Sequence, residues 1–215
     1  MKYQLVVFDL DGTLADTSPG IVNSHRYAHK MMGRPEPPLG ELRSVIGGPL
    51  LQIYRDRFGF SEVDARRALT FYRSYYAEKG IYEATLYPGI PETLQQLHSL
   101  GAQLGVATLK AERFAYKILR YMNILTYFSA VYGMDENDER TKAKLLQLCM
   151  EAVYTTPDRT VLIGDSIHDL EGATSCGLSF LGVAYGFGFV DQTCDNRIPL
   201  CRRPEEIATA LNRMK

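Results

Sequence analysis

Four short apolar runs rich in β-branched residues, Leu5–Phe8, Leu104–Ala107, Val161–Ile163 and Phe180–Val183, recur along the chain. None alternates apolar with polar residues. A strand of that kind is buried on both faces, the situation of a parallel sheet covered by helices on either side. The segments between and after the runs have helical period: Pro91–Leu100, Glu112–Met122, Thr141–Val153 and Ile167–Cys176. Gly101 and Gly177 stand where the first and last of these must end, as helix-terminating residues of left-handed conformation. Strand and helix alternating in this way predict an α/β fold with a three-layer parallel-sheet core.

One stretch breaks the alternation. Residues 17–83 carry helical patterns and turns but no strand-like run, so they read as an inserted small α-helical domain, with 1–16 and 84–215 forming the α/β domain. Within the insertion Arg34-Pro35-Glu36-Pro37-Pro38 is a turn, because proline lacks a backbone donor and disfavours helix before it. Gly47-Gly48-Pro49 marks a second break. Asp64–Lys79 is helical, with Ala65, Ala68, Leu69, Tyr72 and Tyr76 on one apolar stripe. Leu86-Tyr87-Pro88-Gly89 reads as the hinge that returns the chain to the sheet.

Bulk properties exclude several classes of function. The 215 residues suffice for one sizeable core and a smaller appendage. With 24 Lys and Arg against 25 Asp and Glu, the formal charge of −1 gives no field to collect nucleic acid or an anionic membrane. The apolar runs are strand-sized and far below the ~18 residues a membrane span needs, so no membrane association is expected. The start runs directly into a strand-like segment, which points to a cytoplasmic protein. Cys149, Cys176, Cys194 and Cys201 form no C-x-x-C pair, and are read as reduced packing residues.

Ligands of open parallel sheets bind beyond the carboxyl ends of the strands. There the apolar runs are followed by Asp9-Leu10-Asp11-Gly12-Thr13-Leu14, by Thr108-Leu109-Lys110, by Gly164-Asp165-Ser166-Ile167-His168-Asp169, and by Ala184-Tyr185-Gly186-Phe187-Gly188. In an extended chain Asp9 and Asp11 point the same way. Their mutual repulsion, increased by Asp165, calls for a cation, and Mg²⁺ is the hard ion that takes oxygen ligands and leaves room for phosphate. Each segment also has a plainer explanation: Asp11-Gly12 as a turn, and an aspartate ahead of a helix as its N-cap.

Taken together the motifs resemble the haloacid dehalogenase-like hydrolase superfamily, in particular its phosphoglycolate phosphatase-like members with a helical cap. D-x-D-G-T-L is present as Asp9–Leu14 and G-D-x-x-x-D as Gly164–Asp169. The resemblance covers essentially the whole chain and implies a Rossmann-like core with residues 17–83 as the cap. It implies that Asp9 attacks phosphorus to give an aspartyl phosphate and that Asp11 is the acid and base. It also implies that Thr108 and the amide of Leu109 hold phosphoryl oxygens. The metal would fall to Asp9, Asp11 through its main-chain carbonyl, and Asp165, with Asp169 acting through water. A lysine supports nucleophile and phosphate, either Lys142, which aligns better, or Lys144; Lys110 is a neighbour of the phosphate motif or a surface residue. Leu109 departs from the family, which places Asn or Ser there. Arg43, Ser44 and Gly47 resemble the cap's substrate-facing segment.

Other readings of the same residues stay open. His25 and His29, spaced i,i+4, have no third residue nearby to complete a metal site. His168 sits between the two aspartates of its motif, where exposure is expected. The leading function is a Mg²⁺-dependent phosphatase of a small phosphorylated metabolite, phosphoglycolate phosphatase-like, acting as monomer or homodimer. A 5′-nucleotidase is the alternative. A sugar phosphomutase shares the first steps, and a non-catalytic binding protein retaining the fold is the reading from another class.

Overall fold

The computed structural model describes residues 2–135, 139–189 and 198–214; Cys194 lies outside them. In chain order the elements are β1 (Leu5–Phe8), β2 (Ala15–Asp16), α1 (Ser18–Met31), α2 (Leu39–Ser44), α3 (Leu50–Gln52), a π-helical turn (Ile53–Arg57) and α4 (Glu62–Glu78). There follow β3 (Thr85–Leu86), α5 (Ile90–Ser99), β4 (Gln103–Ala111), α6 (Glu112–Tyr121), β5 (Phe128–Met134) and α7 (Lys142–Ala152). The chain continues through β6 (Thr160–Gly164), α8 (Ile167–Ser175), β7 (Ser179–Val183), β8 (Leu200–Cys201) and α9 (Ile207–Arg213). They divide into two compact units, residues 1–16 with 86–215 and residues 17–85.

The first unit is built on a six-stranded sheet in the order β5-β4-β1-β6-β7-β8, with every pair parallel. β1 lies at its centre and all four of its residues are buried, which is why its sequence is apolar without alternation. The pairing register sets the site: Phe8 lies opposite Val106 on β4 and Ile163 on β6. The residues next in register, Asp9, Ala107-Thr108 and Gly164-Asp165, therefore lie side by side at one edge. Helices bury apolar stripes against this sheet, as α6 does with Phe114, Ala115, Ile118 and Leu119, each large side chain contributing roughly 1.5–3 kcal/mol.

Besides the two-residue β2 and β3, three elements have no counterpart among the apolar runs and helical periods. β5 is an edge strand paired only with β4, so Ser129, Tyr132 and Gly133 interrupt its apolar residues. β8 has two residues and α9 seven, too few for a periodicity to register. β4 in turn runs past Ala107 to Ala111, with an irregularity in its pairing to β5 between those residues.

The second unit is helical. α1 packs along α4 and meets the turn just after it, where glycine permits a close approach: a Cβ on Gly20 would overlap the backbone of Gly80. Ala65, Ala68, Leu69, Tyr72 and Tyr76 form the buried face of α4, as its spacing predicts. His25 and His29 face an aromatic cluster. His25 packs on Tyr54, Phe58 and Tyr72, and its Nδ1 lies 3.1 Å from the Tyr54 hydroxyl. His29 packs on Phe58 and Phe60, with Nδ1 3.0 Å from the Pro35 carbonyl. The pair belongs to a core, not to a metal cluster among the described residues. No helix among the described residues is long and apolar enough to cross a membrane.

Burial, reinforced by His29, pushes the His25 imidazole down to about 3. The unfolded chain then binds a proton below pH ~6.5 that the folded chain refuses, so stability is full above that pH and falls as the medium is acidified. From this group alone, lowering the pH to 5 should cost roughly 2 kcal/mol of unfolding free energy. Denaturant unfolding at pH 5 and 7.5 checks this: His25→Gln should flatten the difference, and an unchanged slope in the variant rules His25 out as its source.

Candidate active site

Asp9 leaves β1 with its amide donating to the Ile163 carbonyl of β6 at 2.9 Å. The chain then folds sharply, Leu14 donating to the Leu10 carbonyl at 3.0 Å and Gly12 to Ala15 at 2.9 Å. Gly12 takes φ +82°, and a Cβ there would run into the Asp165 carboxylate. Glycine is thus demanded twice over, by backbone angle and by the proximity of the third aspartate.

Asp9, Asp165 and Asp169 each offer a carboxylate oxygen within 4.8 Å of the others, and all three are buried. Into this group reaches Lys142, at the first turn of α7. Its Nζ is 2.7 Å from Asp9 Oδ1 and 2.6 Å from Asp169 Oδ1, and donates to the Ala107 carbonyl at 2.6 Å. Gly172 on α8 makes room for the lysine stem, since a Cβ there would meet Lys142. Lys144, by contrast, is exposed, and its backbone amide takes the Thr141 cap.

The second oxygen of Asp169 and both oxygens of Asp165 are also engaged. Asp169 Oδ2 accepts from the Ser166 amide and hydroxyl at 3.1 and 2.7 Å, closing a capping box at the start of α8. Asp165 Oδ2 accepts from the amides of Phe187 and Gly188 at 2.6 and 3.3 Å, and Oδ1 receives the Thr13 hydroxyl at 3.4 Å. Asp11 turns elsewhere: its Oδ2 pairs with Lys110 Nζ at 2.9 Å, both side chains being buried. Its carboxylate is not part of the group of three.

Burial raises the Asp9 carboxyl to about 7 against the pull of Lys142, with Asp169 and Asp11 adding to the rise. Asp165 is pushed up to about 8, first by burial and then by Asp169 and Asp9, while the Phe187 and Gly188 amides oppose. Lys142 is held charged by Asp169 and Asp9 in spite of its burial. One ammonium against three carboxylates leaves uncompensated negative charge in a dry pocket, which is the condition a divalent cation relieves. The donors are all oxygen, so the residues present fit Mg²⁺.

Thr108 is buried just beyond the point where β4 leaves regular pairing, and its Oγ1 accepts from the Lys110 amide at 3.2 Å. The Leu109 side chain packs against the apolar cluster of Leu145, Leu146 and their neighbours, so at this position an apolar residue has a place in the core. His168 is exposed. Arg43, Ser44 and Gly47 belong to the helical unit: Arg43 and Ser44 are exposed at the end of α2, Ser44 donates to the Glu41 carbonyl at 2.8 Å, and Gly47 has φ +86°.

Sequence reasoning did not single out the support of these residues. Ser166 was detectable as a residue three ahead of Asp169, the spacing of a capping box. The glycines flanking Phe187 hinted at a loop pressed close to something; a Cβ on Gly186 or Gly188 would strike the Gly12–Asp165 region. Of the described cysteines, Cys149 and Cys201 are buried and Cys176 partly so, all as free thiols.

The chain is similar to known proteins over most of its length. Residues 6–183 match the family model described as haloacid dehalogenase-like hydrolase. A protein named 5′-nucleotidase from Pseudomonas aeruginosa is 38% identical over 89% of this chain and 87% of its own. A phosphoglycolate phosphatase from Nitrosospira multiformis is 33% identical, covering 93% and 92%. The protein named tyrosine-protein kinase PtkA of Mycobacterium tuberculosis is 35% identical over 97% of this chain and 72% of its own. The crystal structure of a predicted phosphatase from Clostridium acetobutylicum superposes with a TM-score of 0.92 at 31% identity, covering 99% of each chain.

Replacing Lys142 by Met should cost about 3–5 kcal/mol in the presence of chelator, because it strands the Asp9 and Asp169 charges in a buried place. Lys144→Met should stay within about 0.5 kcal/mol of the parent. Equal losses in the two variants, measured by denaturant unfolding, would show that the Lys142 bridge is not structural.

Proposed function

The chain belongs to the haloacid dehalogenase-like hydrolase family, and we propose that it is a Mg²⁺-dependent phosphatase that hydrolyses a small phosphorylated metabolite through an aspartyl phosphate on Asp9. The observation that carries this reading is the Lys142 bridge: its ammonium engages one oxygen of Asp9 at 2.7 Å and so orients the carboxylate, leaving the other oxygen to attack.

In the first step an Asp9 oxygen forms a bond to phosphorus while the bond from phosphorus to the substrate's alcohol oxygen breaks, and Asp11 gives that oxygen a proton. In the second, water attacks the phosphoryl group, Asp11 takes its proton, and Asp9 is released with inorganic phosphate. Thr108 and the amide of Leu109 receive the phosphoryl oxygens, where charge builds up. Asp9, Asp165 and the main-chain carbonyl of Asp11 would hold the Mg²⁺, with Asp169 in support; when bound, the ion supplies positive charge that lets a phosphate dianion approach three carboxylates. Asp169, occupied by Lys142 and Ser166, serves chiefly to fix the lysine.

We assign residues 17–83 the role of cap and Arg43, Ser44 and Gly47 that of substrate-facing segment, on the family resemblance. The relative named 5′-nucleotidase favours nucleoside monophosphates as the second substrate class to be tested beside phosphoglycolate. The protein is read as cytoplasmic, as a monomer or homodimer.

A panel of phosphoglycolate, 5′-nucleotides and sugar phosphates, assayed with Mg²⁺ and with chelator, checks the reading. Turnover should require the metal; Asp9→Asn should fall to the chelated level, and Asp11→Asn should lose roughly 10²–10⁴-fold. Full activity in Asp9→Asn would remove the covalent mechanism, and no turnover on any member would return the binding-protein alternative.

A further inference from the structure

Lys110 has no part in the metal group, yet its side chain is 5% exposed and its Nζ is 2.9 Å from Asp11 Oδ2. A lysine spends much rotamer freedom and hydration to reach such a position, and a buried pair of this kind is costly unless its geometry is good.

The chain is shaped to send it there. β4 and β5 lose regular register between Ala107 and Ala111, so Thr108, Leu109 and Lys110 depart from the pleat. Thr108 Oγ1 accepts from the Lys110 amide at 3.2 Å, tightening the departure into a local turn. On the far side β5 presses on the same point. A Cβ on Gly133 would lie against the Lys110 carbonyl and the backbone of Glu112. Glu112 Oε2 accepts from the Gly133 amide at 3.2 Å and from Arg140 Nη1 at 2.7 Å, and the same Nη1 donates to the Gly133 carbonyl at 3.0 Å. The backbone that carries Lys110 is thus held by its own turn and by the contacts from β5.

We infer that Lys110 is a positioning residue for Asp11: it draws the Asp11 carboxylate away from Asp9, Asp165 and Asp169, leaving those to the cation and reserving Asp11 for proton transfer. The inference rests on the proposed phosphatase reading for the use of Asp11, and on the ion pair for its position. It also explains how four aspartates at one sheet edge divide into two jobs. Within the group of three, Lys142 bridges Asp9 and Asp169; the fourth is paired with Lys110. An alternative use of Lys110, as a direct phosphate contact in place of the polar side chain missing at Leu109, makes a different kinetic prediction.

Lys110→Met, Asp11→Asn and the double variant are compared on p-nitrophenyl phosphate with Mg²⁺. Positioning predicts that Lys110→Met loses kcat roughly tenfold or more with KM nearly unchanged, as when only the transition state is affected. The double variant is then no slower than Asp11→Asn, and Lys110→Arg recovers most of the loss. A raised KM with unchanged kcat, or losses that multiply in the double variant, overturns the inference in favour of phosphate contact. A crystal structure of Lys110→Met grown with Mg²⁺ needs no turnover: the Asp11 carboxylate should shift by roughly an ångström or more, a displacement of catalytic consequence, and an unmoved carboxylate overturns the inference. Absence of any Mg²⁺-dependent turnover in the parent enzyme would defeat the phosphatase reading instead, with the position of Asp11 still decided by that structure.

Discussion

Three buried carboxylates, two of them bridged by one ammonium, are the constraint to which the rest of this molecule answers. Asp9, Asp165 and Asp169 arrive from two neighbouring strands and the helix that follows one of them, and Lys142 arrives from a helix more than a hundred residues away from Asp9 in sequence. Removing such charges from water is costly, and their mutual repulsion adds to the cost. Lys142 offsets part of it by bridging Asp9 and Asp169, while main-chain amides of Phe187 and Gly188 take one oxygen of Asp165. The charge left over is the condition under which such a pocket could hold a divalent cation.

The sheet supplies the rigidity this needs. β1 is paired on both sides, to β4 and β6, so the position of Asp9 is set by two ladders of hydrogen bonds and not by a loop. Where the backbones must come close to the carboxylates, glycine stands: Gly12 against Asp165, Gly164 against Asp169, Gly172 against Lys142. A methyl group at any of these would push apart the groups that the chemistry requires together.

How much of this was legible in the sequence follows from where each feature is encoded. The central strands announce themselves because burial on both faces forbids polar residues; edge strand β5, with Ser129 and Tyr132, obeys no such rule and left no run to read. The helical stripe of α4 was legible to the residue, since the 3.6 period records its buried face. Asp9, Asp11 and Asp165 were visible as acidic residues at strand ends. What a linear reading leaves undecided is pairing. Lys142 and Lys144 differ in sequence by two places and in structure by everything: one is buried on Asp9, the other exposed. Lys110 likewise reads as a surface lysine or a site residue until the break in β4 shows where it turns.

The proposed mechanism requires these carboxylates to form a single seat for a cation and a phosphoryl group, with Asp9 as the point of attachment. A crystal structure of the protein grown with Mg²⁺ and beryllium fluoride, a mimic of the phosphoryl group on a carboxylate, tests it most directly. The fluoroberyllate should be bonded to an Asp9 oxygen, with the ion against Asp165 and Lys142 still in contact with Asp9. An anion bound elsewhere, or three carboxylates with no cation between them under those conditions, would contradict it.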